Sequence, residues 1–412
     1  MNITFTQSAP RGTVTAPPSK SCAHRLLLCA ALSDGESTIE NISLSQDVAA
    51  TVDCLRALGV TFDFSRGSGQ RPPAICVRGF DPFAAASATL PCRESASTLR
   101  FLLPLCQLSG NPMTFTGSPR LFTRPLDVYE SLCRERGLCF ARAESTLTVQ
   151  GTLRPGAFTL PGNVSSQFVS GLLFALPLLP GDSSLTVQPP VVSRPYTELT
   201  LQILSKFGIY VDKKTDDFYV IPGNQHYIAK KETVEGDWSN AAPFLALRAL
   251  GFDVSVSGLA PASVQGDRCC PELLARLRQG YAHIDLADCP DLAPVLFAAA
   301  ALLHGGRFTH TRRLREKESD RVAAMQQELQ ACGALVRAEE DAVTVLPAQL
   351  HAPDLPLACH NDHRVAMALS LVLNQTGGTL AGAECVEKSY PAFFDDLRSL
   401  GVSLRRQPLR SE

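Results

Sequence analysis

Leu55-Arg56-Ala57-Leu58-Gly59-Val60, Leu204-Ser205-Lys206-Phe207-Gly208-Ile209 and Leu397-Arg398-Ser399-Leu400-Gly401-Val402 are three versions of one phrase. Looser versions run over Leu132–Leu138, Leu274–Gly280 and Leu329–Leu335. In each, leucines fall on one face of a helix, and a glycine follows that can take the left-handed conformation that stops it. The glycines are Gly59, Gly137, Gly208, Gly280, Gly333 and Gly401. A short β-branched or alternating run comes next, as in Val60-Thr61-Phe62 and Ile209-Tyr210-Val211, which is strand patterning. Helix, glycine and strand, six times over, read as six copies of one α/β unit. The spacing is too long and uneven for a solenoid and fits a globular, pseudo-symmetric protein.

With 412 residues the chain is too long for one ordinary domain. Two breaks suggest where it crosses between domains. One is Pro17-Pro18-Ser19, where proline excludes helix. The other is Glu235-Gly236-Asp237, after the polar stretch 213–231. The expected organisation is a discontinuous domain, 1–18 plus 236–412, around an inserted domain, 19–235. A net charge of -2 gives no basic excess to hold nucleic acid or an anionic membrane surface. The N-terminus lacks a signal-peptide pattern, and the longest apolar run, Leu292–Leu303, reads as a buried core helix. The 14 cysteines are scattered through apolar segments without a CxxC pair. They read as free thiols in a reducing compartment, with the cytoplasm as default, and not as zinc ligands or disulfides.

Positive charge is instead concentrated at helix starts, where unpaired backbone N–H groups also attract anions. Ser19-Lys20-Ser21-Cys22-Ala23-His24-Arg25 leads into the apolar run Leu26–Leu32. Pro119-Arg120-Leu121-Phe122-Thr123-Arg124-Pro125 sets two arginines in a stiff loop, and arginine forks match phosphate and carboxylate geometry. Val164-Ser165-Ser166-Gln167-Phe168 and Ser193-Arg194-Pro195-Tyr196 place hydroxyls and an amide before helices, either as caps or as ligands to a polyol or phosphate. Arg312–Arg321 holds five bases and three acids in ten residues; such a run is usually a solvated face. Here His360-Asn361-Asp362-His363-Arg364 and Glu387-Lys388-Ser389-Tyr390-Pro391 repeat the arrangement. Three basic clusters at helix starts, in a chain without basic excess, suggest one converging anion site. Asp291, in Cys289-Pro290-Asp291-Leu292, is an N-cap or a general base at a helix mouth.

In this order, from residue 19 to 391, these segments resemble the motifs of the 5-enolpyruvylshikimate-3-phosphate synthases: Ser-Lys-Ser with a downstream arginine, the arginine–proline loop, Ser-Ser-Gln-Phe, Ser-Arg-Pro-Tyr, Pro-Asp, Lys-Glu-Ser-Asp-Arg, Asn-Asp-His-Arg and a final lysine. The resemblance implies a two-domain, inside-out α/β barrel of six βαβαββ repeats, three per domain, with the active site in the interdomain cleft. It implies transfer of the carboxyvinyl group of phosphoenolpyruvate to the 5-hydroxyl of shikimate 3-phosphate by addition and elimination, with no cofactor and no metal. By motif, Lys20, Ser21, Arg25, Ser165, Ser166, Gln167, Ser193, Tyr196, Asp291 and Lys317 would bind shikimate 3-phosphate, and Arg313 could add a contact. Lys20, Arg124, Gln167, Arg321, His363, Arg364 and Lys388 would surround phosphoenolpyruvate. Asp291 would take the proton of the attacking hydroxyl. Glu318 would protonate the methylene carbon, assisted by Lys20 or Lys388. The chain departs from the pattern at Arg93-Glu94-Ser95-Ala96-Ser97-Thr98, where the family commonly reads Asn-Ala-Gly-Thr. Ala96 in place of glycine should crowd anything bulkier than phosphoenolpyruvate, so weak inhibition by glyphosate is expected. A monomer is expected. The rival readings are transfer to UDP-N-acetylglucosamine, which the Lys20-Ser21 pair and the absence of a cysteine before Arg124 oppose, and a non-catalytic anion-binding protein of the same fold.

Overall fold

The computed structural model describes residues 1–64 and 74–407. The chain forms two compact units, Met1–Pro17 with Gly236–Glu412, and Pro18–Glu235.

One design recurs in both. In the Pro18–Glu235 unit the strand Ala88–Arg93 runs into the helix Ala96–Cys106 and returns as the parallel strand Gly110–Gly117. A second helix, Asp127–Glu135, then leads to the hairpin Cys139–Arg142 and Thr146–Gly151. Thr146–Gly151 inserts antiparallel beside Gly110–Gly117, leaving Cys139–Arg142 at the edge. The same order of one parallel and two antiparallel pairings builds five four-stranded sheets among the described residues. Two of them are closed by distant segments: Lys231–Thr233 lies parallel to Glu36–Glu40, and Asn2–Phe5 lies between Gly378–Ala381 and Leu404–Gln407.

The sixth copy is reduced. Arg11–Thr15 and Asp253–Ser257 pair in parallel as a two-stranded sheet, with helices Trp238–Ala249 and Cys270–Gln279 but no hairpin. In this copy the glycine that stops the helix is not the expected Gly280. Gly280 has φ 162, an extended conformation, because the chain passes directly from Gln279 into Ala282–Asp285, the first strand of the next sheet. The left-handed stop in this copy is Gly251, with φ +100, after Ala249-Leu250. It closes Leu247-Arg248-Ala249-Leu250-Gly251, a copy of the Leu55–Gly59 phrase that the reading of the sequence passed over.

The two helices of a repeat differ in kind. Those after the first parallel strand are buried on nearly all sides: Lys20–Ala31, Ala96–Cys106, Ser166–Ala175, Ala293–Leu302 and His363–Thr376. Ala293-Pro-Val-Leu-Phe-Ala-Ala-Ala-Ala-Leu302 has no polar residue to turn towards water, the pattern of a helix enclosed in a core. The second helices, such as Asp127–Glu135 and Cys270–Gln279, carry charge on an outer face. Within a unit, therefore, helices fill the centre and sheets form the wall. Most buried helices begin at a side-chain cap: Ser19, Ser95, Ser165 and Asp362 each accept from a backbone N–H of the first turn. Their N-terminal turns carry the residues of chemical interest. Among the described residues no helix is long and apolar enough to cross a membrane.

Candidate active site

In the Met1–Pro17 and Gly236–Glu412 unit, the chemistry centres on Arg321, a fully buried guanidinium at the start of the helix Arg321–Ala331. It donates from Nη1 to Asp291 Oδ1 at 2.7 Å, from Nη2 to Glu318 Oε2 at 2.8 Å and from Nε to Asp362 Oδ2 at 2.9 Å. Asp362 is also the cap of the helix His363–Thr376, accepting from Arg364 N at 2.8 Å and from Ser319 Oγ at 3.1 Å. Lys317 Nζ approaches Asp291 Oδ1 at 3.5 Å, and Arg364 Nη2 approaches Asp291 Oδ2 at 3.9 Å. Arg364 Nη1 reaches Asn240 Oδ1 at 3.5 Å, and Asn240 Nδ2 donates to Ser389 Oγ at 3.0 Å. The neighbouring Lys388 donates to the carbonyl of Asn361 at 2.7 Å. Arg313 Nη2 donates to the carbonyl of Ala287, just upstream of Asp291, at 2.8 Å. Asp291, Arg313, Lys317, Glu318, Arg321, His363, Arg364 and Lys388 thus gather on elements widely separated in sequence.

This packing sets the charges. Burial raises the proton affinity of Asp291, but Lys317, Arg364 and Arg321 outweigh it and hold the carboxyl well below the usual range. Burial also pushes the Lys317 ammonium down, against the pull of Asp291. Arg321 is held firmly charged by Asp362, Glu318 and Asp291 despite burial. Asp267, in the turn Gly266–Cys269, is pushed up to about 7 by burial and by the charge of Asp291.

In the Pro18–Glu235 unit, Lys20 Nζ donates to Asp47 Oδ2 at 2.7 Å, with both side chains largely buried. Gln167 is gripped from two sides: Arg100 Nη1 donates to its Oε1 at 2.8 Å, and its Nε2 donates to Ser97 Oγ at 2.8 Å. Arg100 Nη2 donates to the carbonyl of Pro125 at 2.6 Å, beside the buried Arg124. Its guanidinium lies 4.7 Å over the Phe168 ring. Ser165 caps the helix Ser166–Ala175, accepting from Gln167 N at 3.3 Å. Ser193 stands in the left-handed region, φ 57, and starts the helix Arg194–Lys206, which contains Tyr196.

Two arginines have immediate partners that the sequence did not suggest. Arg25 points inward: Nε donates to Thr200 Oγ1 at 2.8 Å, Nη1 to the carbonyl of Ser21 at 2.8 Å and Nη2 to the carbonyl of Tyr196 at 3.0 Å. Burial drives it down to about 10. It ties Lys20–Ala31 to Arg194–Lys206. Arg321, expected to hold a substrate, also collects three carboxylates. Conversely, Asp47, Arg100, Asn240, Asp267 and Asp362 had not been singled out. Arg100 carried a usable signal, a lone charge inside the apolar segment Ala96–Cys106, since arginine is rarely buried unless it has a partner.

Residues 6–397 match the family described as EPSP synthase (3-phosphoshikimate 1-carboxyvinyltransferase). The chain belongs to this family. An EPSP synthase relative, the 3-phosphoshikimate 1-carboxyvinyltransferase of Clostridium kluyveri, is 39% identical over 95% of both chains. The enzyme of the same name from Clostridium perfringens is 36% identical over 98% of this chain and 99% of its own. The EPSP synthase of Acinetobacter baumannii, a solved structure, superposes with a TM-score of 0.77 at 22% identity, over 98% of this chain and all of that one. At that identity the likeness shows the EPSP synthase fold, mixed α/β throughout.

Proposed function

We propose that the chain transfers the carboxyvinyl group of phosphoenolpyruvate to the 5-hydroxyl of shikimate 3-phosphate, releasing phosphate. Family membership over nearly the whole chain supports the reaction. The observation that carries the residue assignment is the Arg321 hub, which sets Asp291 beside Glu318 with Lys317 and Arg364 close to the Asp291 carboxylate.

Both substrates are multiply anionic, and their mutual repulsion must be offset by fixed cations. Asp291 accepts the proton of the 5-hydroxyl as its oxygen adds to C2 of phosphoenolpyruvate. Glu318 donates a proton to C3, with Lys20 or Lys388 assisting, giving a tetrahedral intermediate. A proton then leaves the new methyl group and phosphate leaves C2, restoring the double bond as an enol ether. A carboxylate held so far below its usual range is a poor base, but a substrate phosphate beside Lys317, Arg321 and Arg364 weakens their hold and raises its proton affinity. On this assignment Ser21, Ser165, Ser166, Gln167, Ser193, Tyr196, Lys317 and Arg313 serve shikimate 3-phosphate, and Lys20, Ala96, Arg124, Gln167, His363, Arg364 and Lys388 serve phosphoenolpyruvate. Arg321 also serves phosphoenolpyruvate and orients Asp291 and Glu318. Arg25 serves shikimate 3-phosphate and also fixes the helix that presents Lys20 and Ser21. A cytoplasmic monomer without a cofactor suits such a reaction.

The test is phosphate release from purified protein. It should require both substrates and vanish in Asp291→Ala. Release with UDP-N-acetylglucosamine in place of shikimate 3-phosphate would instead assign the sister reaction.

A further inference from the structure

Three helices of the Pro18–Glu235 unit carry residues assigned above to the substrates or paired with them. Lys20–Ala31 opens with Lys20, Gln46–Ala57 holds Asp47, and Ala96–Cys106 opens with Ala96 and Ser97. A file of four buried side chains joins them. His24 Nδ1 lies 2.7 Å from Thr51 Oγ1, Thr51 Oγ1 lies 2.7 Å from Thr98 Oγ1, and Thr98 Oγ1 lies 2.7 Å from Ser95 Oγ. None is more than 2% exposed.

The protons in this file can be ordered. Ser95 Oγ accepts from the Thr98 hydroxyl and, at 3.3 Å, from Thr98 N. A hydroxyl has one proton to give. That of Thr98 goes to Ser95, so Thr51 must donate to Thr98. The proton of Thr51 is then committed, so His24 must donate to Thr51. Nδ1 of the imidazole therefore carries a proton. The other nitrogen, Nε2, has no hydrogen-bond partner among the described residues, and the ring sits edge-on to Phe101 with centroids 6.5 Å apart. The opposite tautomer would leave a bare Nδ1 facing a hydroxyl that cannot donate and an Nε2–H with no acceptor. The imidazolium is opposed by burial and by the charges of Lys20 and Arg25.

We propose that His24 is a positioning residue for the phosphoenolpyruvate side of the reaction, acting through Thr51 and Thr98 to fix the Ser95 cap and with it the first turn that bears Ala96 and Ser97. This rests on the function proposed above. Apolar residues of the same shape would hold the helices together about as well, because replacing both partners of a buried hydrogen bond is nearly neutral. What a fully satisfied polar file adds is a unique arrangement. It fixes the place of Ser97, which accepts from Gln167, and thereby of Gln167 and Arg100. Each donor direction is dictated by the next, so loss of one link frees the whole file.

Two measurements test this. Nitrogen-15 spectra of histidine-labelled wild-type protein at neutral pH should show His24 protonated on Nδ1 and bare on Nε2; an Nε2–H tautomer or an imidazolium would overturn the proposal. In steady-state assays, Thr51→Val should raise KM for phosphoenolpyruvate about tenfold and leave KM for shikimate 3-phosphate within about twofold, while Thr51→Ser should behave as wild type. An unchanged phosphoenolpyruvate KM in Thr51→Val, or equal losses for both substrates in Val and Ser variants alike, would also overturn it. If wild-type protein turned over neither substrate pair, the functional assignment itself would fall, an outcome kept distinct because the imidazole spectrum does not depend on turnover.

Discussion

At the scale of single residues, Asp291 must stay ionised before the substrates arrive and accept a proton once they are bound. Its three cationic neighbours meet the first demand, and the substrates' own charge meets the second. Asp291→Asn keeps the shape and an oxygen for Arg321, so substrate affinity should hold while kcat falls by about two to four orders of magnitude, the usual cost of a lost general base, measured by phosphate release. Asp267 answers to the same field with the opposite sign. Its folded pKa, about 7, is raised above the unfolded value, so its contribution to stability is fully present below the unfolded pKa and is lost as pH rises through 7. Between pH 6 and pH 8 this loss is about 1 kcal/mol. Wild-type Tm should fall over that interval, and Asp267→Asn should show a smaller fall in parallel thermal melts. Ala96 sits buried in the first turn of its helix, where its methyl group takes space that glycine would leave open. Glyphosate should accordingly inhibit weakly, and Ala96→Gly should lower its inhibition constant in a titration against phosphoenolpyruvate.

At the scale of elements, the recurring βα turn delivers chemistry to the N-termini of buried helices, where the helix dipole favours anions. The turn before His363–Thr376 shows how tightly such a start is held. His360 and Asn361 both adopt left-handed conformations, φ 50 and 53, which cost non-glycine residues roughly 1–2 kcal/mol each. The buried Glu328, two turns along the helix that begins at Arg321, holds them in place. Its Oε1 bonds His360 Nε2 at 2.7 Å, and its Oε2 accepts from Ala358 N at 3.0 Å. The turn can then offer the Asn361 carbonyl to Lys388 and Asp362 to Arg321. His360→Gly suits the left-handed backbone but removes the imidazole, so any loss isolates the bond to Glu328. It should lower kcat/KM about fivefold to tenfold in steady-state assays, about what one ordinary hydrogen bond contributes.

At the scale of the whole molecule, five four-stranded and two two-stranded sheets among the described residues form the walls of two units whose centres are helical. All 14 cysteines are free thiols, with Cys139 exposed, Cys269 half-buried and the rest buried. A thiol titration should therefore count one or two fast-reacting groups in native protein and fourteen in denaturant; a lower denatured count would reveal disulfides. Much of this architecture could be read from the chain because its signals are local. A leucine face closed by glycine, an apolar run enclosed on all sides and a cap before a helix each depend on a few adjacent residues. The eight ordered motifs were likewise legible, because each lies within one turn. The reduced sixth repeat was not, since Gly280 has the sequence of a helix stop, and only the strand that follows it leaves no room for a hairpin. Nor could the sequence say that Arg25 faces inward, that Arg321 gathers Asp291, Glu318 and Asp362, or that Arg100 grips Gln167. By itself the sequence determined the kind of fold, the repeated unit and the segments that bear the chemistry, since helix and strand periodicity and capping act over a few residues. The tertiary structure alone decided which charges meet and which proton each buried hydroxyl gives, because those contacts join residues tens to hundreds of positions apart and depend on how the helices pack.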